Sequence, residues 1–500
     1  MVHLFQKSNS YFAIDVYSGA VHLLDALAYR LIEYRLTNAG DFQSPVSSFP
    51  NGKTVQIENL KQKPFEKQAK SSLDEVIAEY GPDFVEALRK EYSAEQIVEA
   101  CVEIDQLIAQ AQLFTENPYP NLKPEPPEKP LIKALCLHVA HDCNLKCAYC
   151  FASQGDFAGT KCMMSREVAK KALDFLIANS GKRGILEVDL FGGEPLMNWP
   201  LVKWIAGYVK ELEANSGKKI NLTITTNGVL LNEEKAKFIN ENFYNAVLSL
   251  DGRREVNDAM RKRLDNGGSY DLILPNFQNF VKNRKGASYY LRGTFTRFNL
   301  DFDKDVIDIA GKGFREISVE PVVSDKGMPY SLREEDLPKI MEAYDRLADK
   351  MCENLGKEDA FNFFHYAMDM ENGPCLLKLI SGCGAGSEYF SVTPEGDVYP
   401  CHQFVGQEEF KLGNLLQGLE EVPFRRDFFD CNVLSKPDCT DCWAKYYCSG
   451  GCHANAYSQN GDIQKPYKLG CEMEKKRIEN SIYLRYQSMR YQYEKKQSAD

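Results

Sequence analysis

Cys143-Asn144-Leu145-Lys146-Cys147-Ala148-Tyr149-Cys150 places three cysteines in eight residues, with an aromatic before the last. The spacing is C-x3-C-x2-C. Three thiolates are one short of a closed tetrahedral site. Structural zinc takes four ligands, and a 4Fe–4S cluster has four irons to cap. The loop either borrows a distant fourth ligand, as a zinc knuckle would, or leaves one metal position open to a non-protein ligand.

The residues around the loop set its context. From residue 131 the pattern alternates strand and helix. Strands are expected at Lys133–Val139, Ile185–Phe191, Ile220–Thr225, Asn245–Leu250, Ser288–Phe295 and Glu316–Val322. Helices are expected at Ser165–Ser180, Trp199–Ser216, Glu233–Phe243, Tyr270–Arg284, Asp303–Lys312 and Arg333–Leu355, with Ser165 and Asn232 as N-caps. Six β/α units in series predict an α/β fold, a parallel sheet covered by helices. In such a barrel-like array chemistry sits at the C-terminal ends of the strands. The cysteine loop follows the first strand. After the second comes Phe191-Gly192-Gly193-Glu194-Pro195, where two glycines let backbone approach a ligand and a carboxylate can accept from an ammonium. Thr225-Thr226-Asn227-Gly228 follows the third strand and Ser249-Leu250-Asp251-Gly252 the fourth. Turn chemistry alone also accounts for Asn-Gly and Asp-Gly. Arg292 and Glu320 lie in the fifth and sixth strands.

The cysteine spacing, the Gly-Gly-Glu after the second strand and the six-unit series together resemble radical S-adenosylmethionine (SAM) enzymes. The resemblance implies a partial (β/α)6 barrel. It implies a 4Fe–4S cluster on Cys143, Cys147 and Cys150, whose open iron is chelated by SAM and whose reduction cleaves SAM to a 5′-deoxyadenosyl radical. The SAM pocket would then comprise Tyr149 near the adenine, Gly192, Gly193 and Glu194 at the amino group, Thr226, Asn227 and Ser249, and Arg292 at the carboxylate. A core tyrosine and an interior ion pair are the alternatives for Tyr149 and Arg292.

Sixteen cysteines are present, and ten of them lie after residue 350. Cys383, a hairpin turning at Pro394-Glu395-Gly396-Asp397, Gly396-x4-Cys401, then Cys439-x2-Cys442-x5-Cys448-x3-Cys452 and Cys471 form one pattern. It resembles the SPASM domain that follows the barrel in radical SAM enzymes acting on peptides and proteins. The resemblance implies two auxiliary 4Fe–4S clusters, making three in all. Cys439, Cys442, Cys448 and Cys471 would close one; Cys383, Cys401 and Cys452 would hold the other. Cys375 either supplies that cluster's fourth ligand or is a buried free thiol. A zinc-ribbon-like structural module is the alternative for the whole block. For Cys101, Cys136, Cys162, Cys352 and Cys431 the default is a small buried hydrophobe.

Upstream, residues 10–25 read as a β-hairpin around Tyr17-Ser18-Gly19, followed by a helix over Ala26–Leu36, a polar loop at about 37–70, and helices over Ser72–Glu91 and Ala94–Leu113. This resembles the winged-helix-like modules that bind leader peptides by adding a strand to a sheet edge; the alternative is a packing subdomain. Six prolines in residues 116–130 mark a semi-rigid linker. The expected organisation is a leader-recognition module at 1–115, the linker at 116–130, the barrel at 131–360, the SPASM domain at 361–475 and a helical tail at 476–500.

Hydrophobic residues at 44% and charged residues at 26% read as a soluble globular chain. A net charge of -11 gives no basic footprint for nucleic acid. No apolar run is long enough to cross a membrane, and Met1–Ser8 lacks a secretory layout, so the expected compartment is the cytoplasm. Barrel, SPASM block and front module together most resemble the SCIFF peptide maturases, which act on six-cysteine precursor peptides. That resemblance implies a cysteine-sulfur-to-α-carbon thioether, a Cys-rich precursor peptide with a leader as substrate, and a low-potential donor such as ferredoxin or flavodoxin. The alternatives are an anaerobic sulfatase maturase making formylglycine and a non-catalytic metal-binding peptide scaffold.

Overall fold

The computed structural model describes residues 1–38, 72–125, 128–129, 131–157, 159–286, 288–368, 376–419, 421 and 426–498. Most of the polar loop expected at about 37–70, and Cys375, lie outside the described residues. The chain forms two compact units, residues 1–122 and 123–500.

The first unit opens with a three-stranded antiparallel sheet, Val2–Lys7, Ser10–Asp15 and Val21–Leu24, in chain order. The sequence reading missed its first strand. The turn joining it to the second is Ser8-Asn9, with φ of 47° and 61° at both residues, a conformation that flags a tight hairpin when a glycine marks it. Here no glycine does. At the second turn the buried Asp15 carboxylate accepts from the Ser18 N–H and hydroxyl, both at 2.9 Å. Helices Ala26–Thr37, Leu73–Tyr80, Pro82–Leu88 and Ala94–Ala109 follow. The single helix expected over 72–91 is two, because Gly81 takes φ +82° and Pro82 has no N–H to continue the ladder. Cys101 is buried in this unit's core beside Leu31, Val76 and Ile97, as expected of a small hydrophobe.

The second unit is built on six parallel strands: Ala134–His141, Ile185–Gly192, Lys219–Thr226, Asn245–Ser249, Ser288–Phe295 and Glu316–Pro321. They lie side by side in chain order, each paired in parallel with the next. Helices Arg166–Ala178, Trp199–Ser216, Glu233–Asn242, Tyr270–Lys282, Phe302–Gly311 and Leu337–Glu353 alternate with or follow them. Ser165 and Asn232 cap two of these, their side chains accepting from Val168 N and Lys235 N. Tyr389–Val392 extends the sheet beyond the first strand, in parallel register with it, and carries the hairpin partner Asp397–Tyr399. Among the described residues the sheet runs from edge to edge without pairing between its end strands.

The two faces of this sheet differ. Leu135, Leu137, Val139, Leu186, Val188, Leu190, Leu222, Ile224, Leu248, Leu291, Ile317 and Val319 pack into one core with the helices. The intervening positions include Cys136, His138, Asp189, Thr225, Ser249, Arg292, Thr294 and Glu320. A parallel sheet covered on both faces reads as continuous apolar runs. The alternation in these strands gives the inner face many polar side chains, set among apolar ones such as Phe191 and Val247.

The last helix, Lys468–Gln497, is continuous through residue 475 and carries Cys471 in its first turn. Met473, Ile478, Ile482 and Tyr483 are buried along it, and Arg477 Nε donates to the Tyr344 hydroxyl at 2.9 Å on helix Leu337–Glu353. The boundary expected between residues 475 and 476 therefore falls inside one docked helix.

Candidate active site

Three loops meet at the C-terminal ends of the first three strands. The cysteine loop is held by a short antiparallel pairing of Leu145–Cys147 with Arg261–Arg263. The Gly-Gly-Glu turn packs directly on it: Gly193 N donates to Ala140 O at 2.8 Å and Glu194 N to Asp142 O at 2.9 Å. A Cβ on Gly192 would stand 2.3 Å from Ala140 O, and one on Gly193 would stand 2.1 Å from Asp142 O. The glycines are thus required by backbone contact with the cysteine loop.

Glu194 is completely buried. Its Oε1 accepts from Leu196 N at 3.0 Å and from the Thr226 hydroxyl at 2.8 Å, and its Oε2 accepts from Asn227 N at 2.8 Å. Burial pushes its carboxyl up, against these three donors. Asn227 Nδ2 reaches back to Asn144 Oδ1 at 2.7 Å and Cys143 Sγ at 3.6 Å. Thr226 and Asn227 were expected to offer hydroxyl and amide to a ligand. In the structure those groups lock the third strand's turn to Glu194 and to the cysteine loop.

Tyr149 makes the second lock. Its hydroxyl donates to the Asp251 carboxylate at 2.7 and 2.8 Å and accepts from Arg261 Nη1 at 2.9 Å. Asp251 is fully buried and also accepts from Thr294 N at 3.1 Å. Burial raises both the Tyr149 phenol and the Asp251 carboxyl, so the phenol remains a donor. Arg261 carries no motif in the sequence. It becomes visible only through the pairing of 261–263 with the cysteine loop.

These loops surround a cleft of about 180 Å³. Cys143, Cys147, Cys150, Tyr149, Gly192, Gly193, Glu194, Thr226, Asn227, Ser249 and Arg292 all line it. Arg292 is half exposed there, its Nε 3.9 Å from Glu320 Oε1. Glu320 also accepts from the Ser318 hydroxyl at 2.9 Å and lies 3.1 Å from His365 Nε2. Although burial opposes it, His365 and Arg292 hold the Glu320 carboxyl well below its ordinary range. His402 and Gln403, next to Cys401, complete the lining. His402 Nδ1 lies 2.8 Å from the Tyr389 hydroxyl, and burial with the nearby Arg292 lowers it to about 4.

The donor set fits an iron–sulfur group. The three thiols are free, and burial pushes Cys143 up to about 12 and Cys147 up to about 11, so thiolates here call for a cation beside them. Two buried donors, Arg261 Nε and Asn144 Nδ2, have no acceptor among the described residues. Arg261 also lines the cleft, where an anionic thiolate-bound group could accept from it.

The later cysteines form two further groups. Cys439, Cys442, Cys448 and Cys471 line one cavity of about 580 Å³, with Lys445 and Lys475. Cys439 sits in helix Pro437–Thr440, Cys442 in the connection after it, Cys448 at the end of helix Lys445–Cys448 and Cys471 at the start of Lys468–Gln497. Four thiols around one space fit a closed cluster. Burial pushes Cys448 up to about 12 and Cys471 up to about 11. Cys401, Cys383 and Cys452 are mutual neighbours: burial first, then the charges of Cys452 and Cys383, raises the Cys401 thiol well above its ordinary value. The fourth ligand weighed for this group, Cys375, is among the residues not described. Cys136 and Cys431 are buried, Cys431 donating to Ile463 O at 3.0 Å, and Cys352 is half-buried. Cys162, expected to be a buried hydrophobe, is instead half-buried and donates to Glu395 Oε1 at 2.9 Å.

Residues 137–295 match the model of the radical SAM superfamily, and residues 383–443 match that of SPASM, an iron–sulfur cluster-binding domain. A serine-type anaerobic sulfatase-maturating enzyme of Bacteroides thetaiotaomicron is 28% identical over 362 residues, 66% of this chain and 84% of the relative. The mycofactocin maturase MftC of Mycolicibacterium smegmatis is 27% identical over 65% of this chain and 80% of its own. Among solved structures, anSMEcpe with bound AdoMet superposes with a TM-score of 0.58 at 22% identity, covering 72% of this chain and 96% of that one. SuiB of Streptococcus suis bound to S-adenosylmethionine gives 0.50 at 16% identity over 94% of this chain and 98% of its own. At these identities the structural likeness speaks to the fold alone. The chain carries a radical SAM domain followed by a SPASM iron–sulfur domain.

Proposed function

We propose that this protein is a radical SAM maturase that modifies a peptide, and that its product is a thioether between a cysteine sulfur and the α-carbon of another residue. The observation that carries the enzyme reading is the cleft itself: three free thiols, the Gly-Gly-Glu turn and Arg292 face one cleft at the ends of the parallel strands. Cys143, Cys147 and Cys150 would hold the first cluster, and the cleft between Gly192, Ser249 and Arg292 would hold SAM. Bound there, cluster and SAM supply reductive cleavage and hydrogen abstraction. The chain's own part is to orient and exclude water. Glu194, Thr226 and Asn227 fix the turn against the cysteine loop; Tyr149, Asp251 and Arg261 fix its far end. His402 carries the neighbourhood of Cys401 to the cleft wall, which supports placing a substrate sulfur near the group of Cys383, Cys401 and Cys452. The four-thiol group would pass the spare electron to a low-potential donor such as ferredoxin or flavodoxin.

A peptide substrate is supported by a relative's name, since a sulfatase-maturating enzyme acts on a sulfatase, itself a polypeptide. That name also favours a second reading, formylglycine formation. The thioether reading draws on the first unit, whose sheet presents Val21–Leu24 at an edge with Leu23 exposed, a strand to which a leader peptide could pair. Mass spectrometry separates the two. Incubated anaerobically with SAM, a reductant and a Cys-rich precursor peptide, the protein is expected to yield a product lighter by two hydrogens with one thiol masked. Loss of the sulfur would establish formylglycine instead. An unaltered peptide, with SAM consumed at the background rate, would exclude both.

A further inference from the structure

His141, Cys162 and Glu395 bring an imidazole nitrogen, a thiol sulfur and a carboxylate oxygen within 4.8 Å of one another, and none of the three belongs to the cysteine groups described above. They come from three parts of the second unit. His141 ends the first parallel strand, Cys162 pairs with it from the short strand Cys162–Met163, and Glu395 sits in the turn between Tyr389–Val392 and Asp397–Tyr399. Cys162 Sγ lies 2.9 Å from Glu395 Oε1. His141 Nδ1 lies 4.0 Å from Glu395 Oε2, too far for a hydrogen bond and right for two groups sharing a third.

The far side of the imidazole is backed. His141 Nε2 lies 3.1 Å from His138 Nδ1, and His138 Nε2 lies 3.3 Å from the Ser391 hydroxyl. Both histidines are buried, at 4% and 0% exposure. With Nε2–H donating along this relay, Nδ1 turns its lone pair toward the thiol and the carboxylate. A ligating imidazole ordinarily donates its other N–H to a fixed acceptor, which sets the tautomer and ring orientation. Phe157 stacks on the His141 ring with centroids 4.6 Å apart and holds its plane.

We propose that His141, Cys162 and Glu395 bind one divalent ion of the zinc type, outside the iron–sulfur groups. One imidazole, one thiolate and one carboxylate are borderline ligands that suit Zn²⁺ and disfavour Mg²⁺ and Ca²⁺. Three protein ligands leave a fourth position for water. On binding, the Cys162 S–H bond breaks, the thiolate bonds the metal, and the proton leaves to solvent past the partly exposed Glu395. The ion ties the turn of the SPASM hairpin to the end of the strand that leads, two residues on, into Cys143.

The test uses the cluster-loaded protein prepared without air, given Zn²⁺ alone and then desalted. Zinc is counted by elemental analysis and its shell read by zinc-edge X-ray absorption, which iron does not obscure. The expected shell has a single sulfur at about 2.3 Å, with nitrogen and oxygen at about 2.0–2.2 Å. Cys162→Ala is expected to lose the sulfur and most of the zinc. Glu395→Gln, a conservative change at a partly exposed side chain, is expected to weaken retention at least about tenfold. Iron content equal to the parent's identifies variants that have folded, and Glu395→Gln carries the test alone should Cys162→Ala fail that check. Zinc no higher in the parent than in Glu395→Gln, or a shell of sulfur only, overturns the proposal.

Discussion

The loop of Cys143, Cys147 and Cys150 and the cavity of Cys439, Cys442, Cys448 and Cys471 solve different problems with the same side chain. The first gathers three thiols on one short loop whose backbone bonds to the Gly-Gly-Glu turn and to the short strand Arg261–Arg263. The second gathers four from two short helices, the connection between them and the first turn of a long helix. Three thiols beside an open cleft leave room for a ligand that reacts. Four thiols around their own cavity leave none, which suits a group that only carries electrons. The difference is written into the surroundings as well as the count. The first site is braced by glycines that admit no Cβ and by the Tyr149–Asp251–Arg261 network; the second is bordered by Lys445 and Lys475.

The largest effect expected of this contrast is at Cys147. Cys147→Ala should reduce 5′-deoxyadenosine formation to background, read by chromatography. Cys439→Ala should spare some SAM cleavage while lowering cross-linked peptide several-fold, so that the ratio of cleaved SAM to product rises. Equal behaviour of the two variants would erase the distinction between the sites. Between them in size stands Gly193→Ala. Its Cβ would press on Asp142 O, displacing the cysteine loop by an ångström or so, and misplacement of that order costs about a hundredfold in rate. Retention of parental SAM cleavage would show that the contact is dispensable.

Much of this was legible in the chain. The alternation of strands and helices, the cysteine spacings and Gly-Gly-Glu all depend on local sequence, and each of the six expected strands is present. The bracing was not legible, because it depends on pairings across distance. Arg261 sits in the run Arg261-Lys262-Arg263, which reads as solvated charge, yet it lies buried against Tyr149. Thr226 and Asn227 carry polar groups that suit a ligand as well as a neighbour, and only the position of Glu194 shows that the neighbour holds them. Ser8-Asn9 hid a strand because the turn lacks the glycine that announces it. Period-two alternation in parallel strands was a signal open to reading: it separates the helix-facing core from Asp189, Ser249 and Arg292 on the cleft side.

Two smaller effects sharpen the account of the bracing. Tyr149→Phe removes a hydroxyl that links Asp251 to Arg261 and should lower stability by about 1–3 kcal/mol, measured by denaturation of the cluster-loaded protein. No loss would mean the network is incidental. Asp189, on the inner face near Cys136, has its carboxyl raised from 3.8 to about 6, by burial first and then by Glu187. A raised acid contributes its full stability below the unfolded value and loses it as pH rises toward and through the folded one, here from about 4 to about 6. Asp189→Asn should therefore match the parent near pH 4 and exceed it at pH 7.5 by about 1–2 kcal/mol after allowance for partial exposure. A parent more stable than the variant at pH 7.5 would reverse that sign.

The central claim is that the first cysteine loop leaves a metal position for SAM to occupy. Electron paramagnetic resonance of the reduced, anaerobically reconstituted protein tests it most directly, with Cys439→Ala simplifying the background. The signal that Cys147→Ala removes should change in g-values when SAM is added. A signal indifferent to SAM, or one that survives in Cys147→Ala, would contradict it.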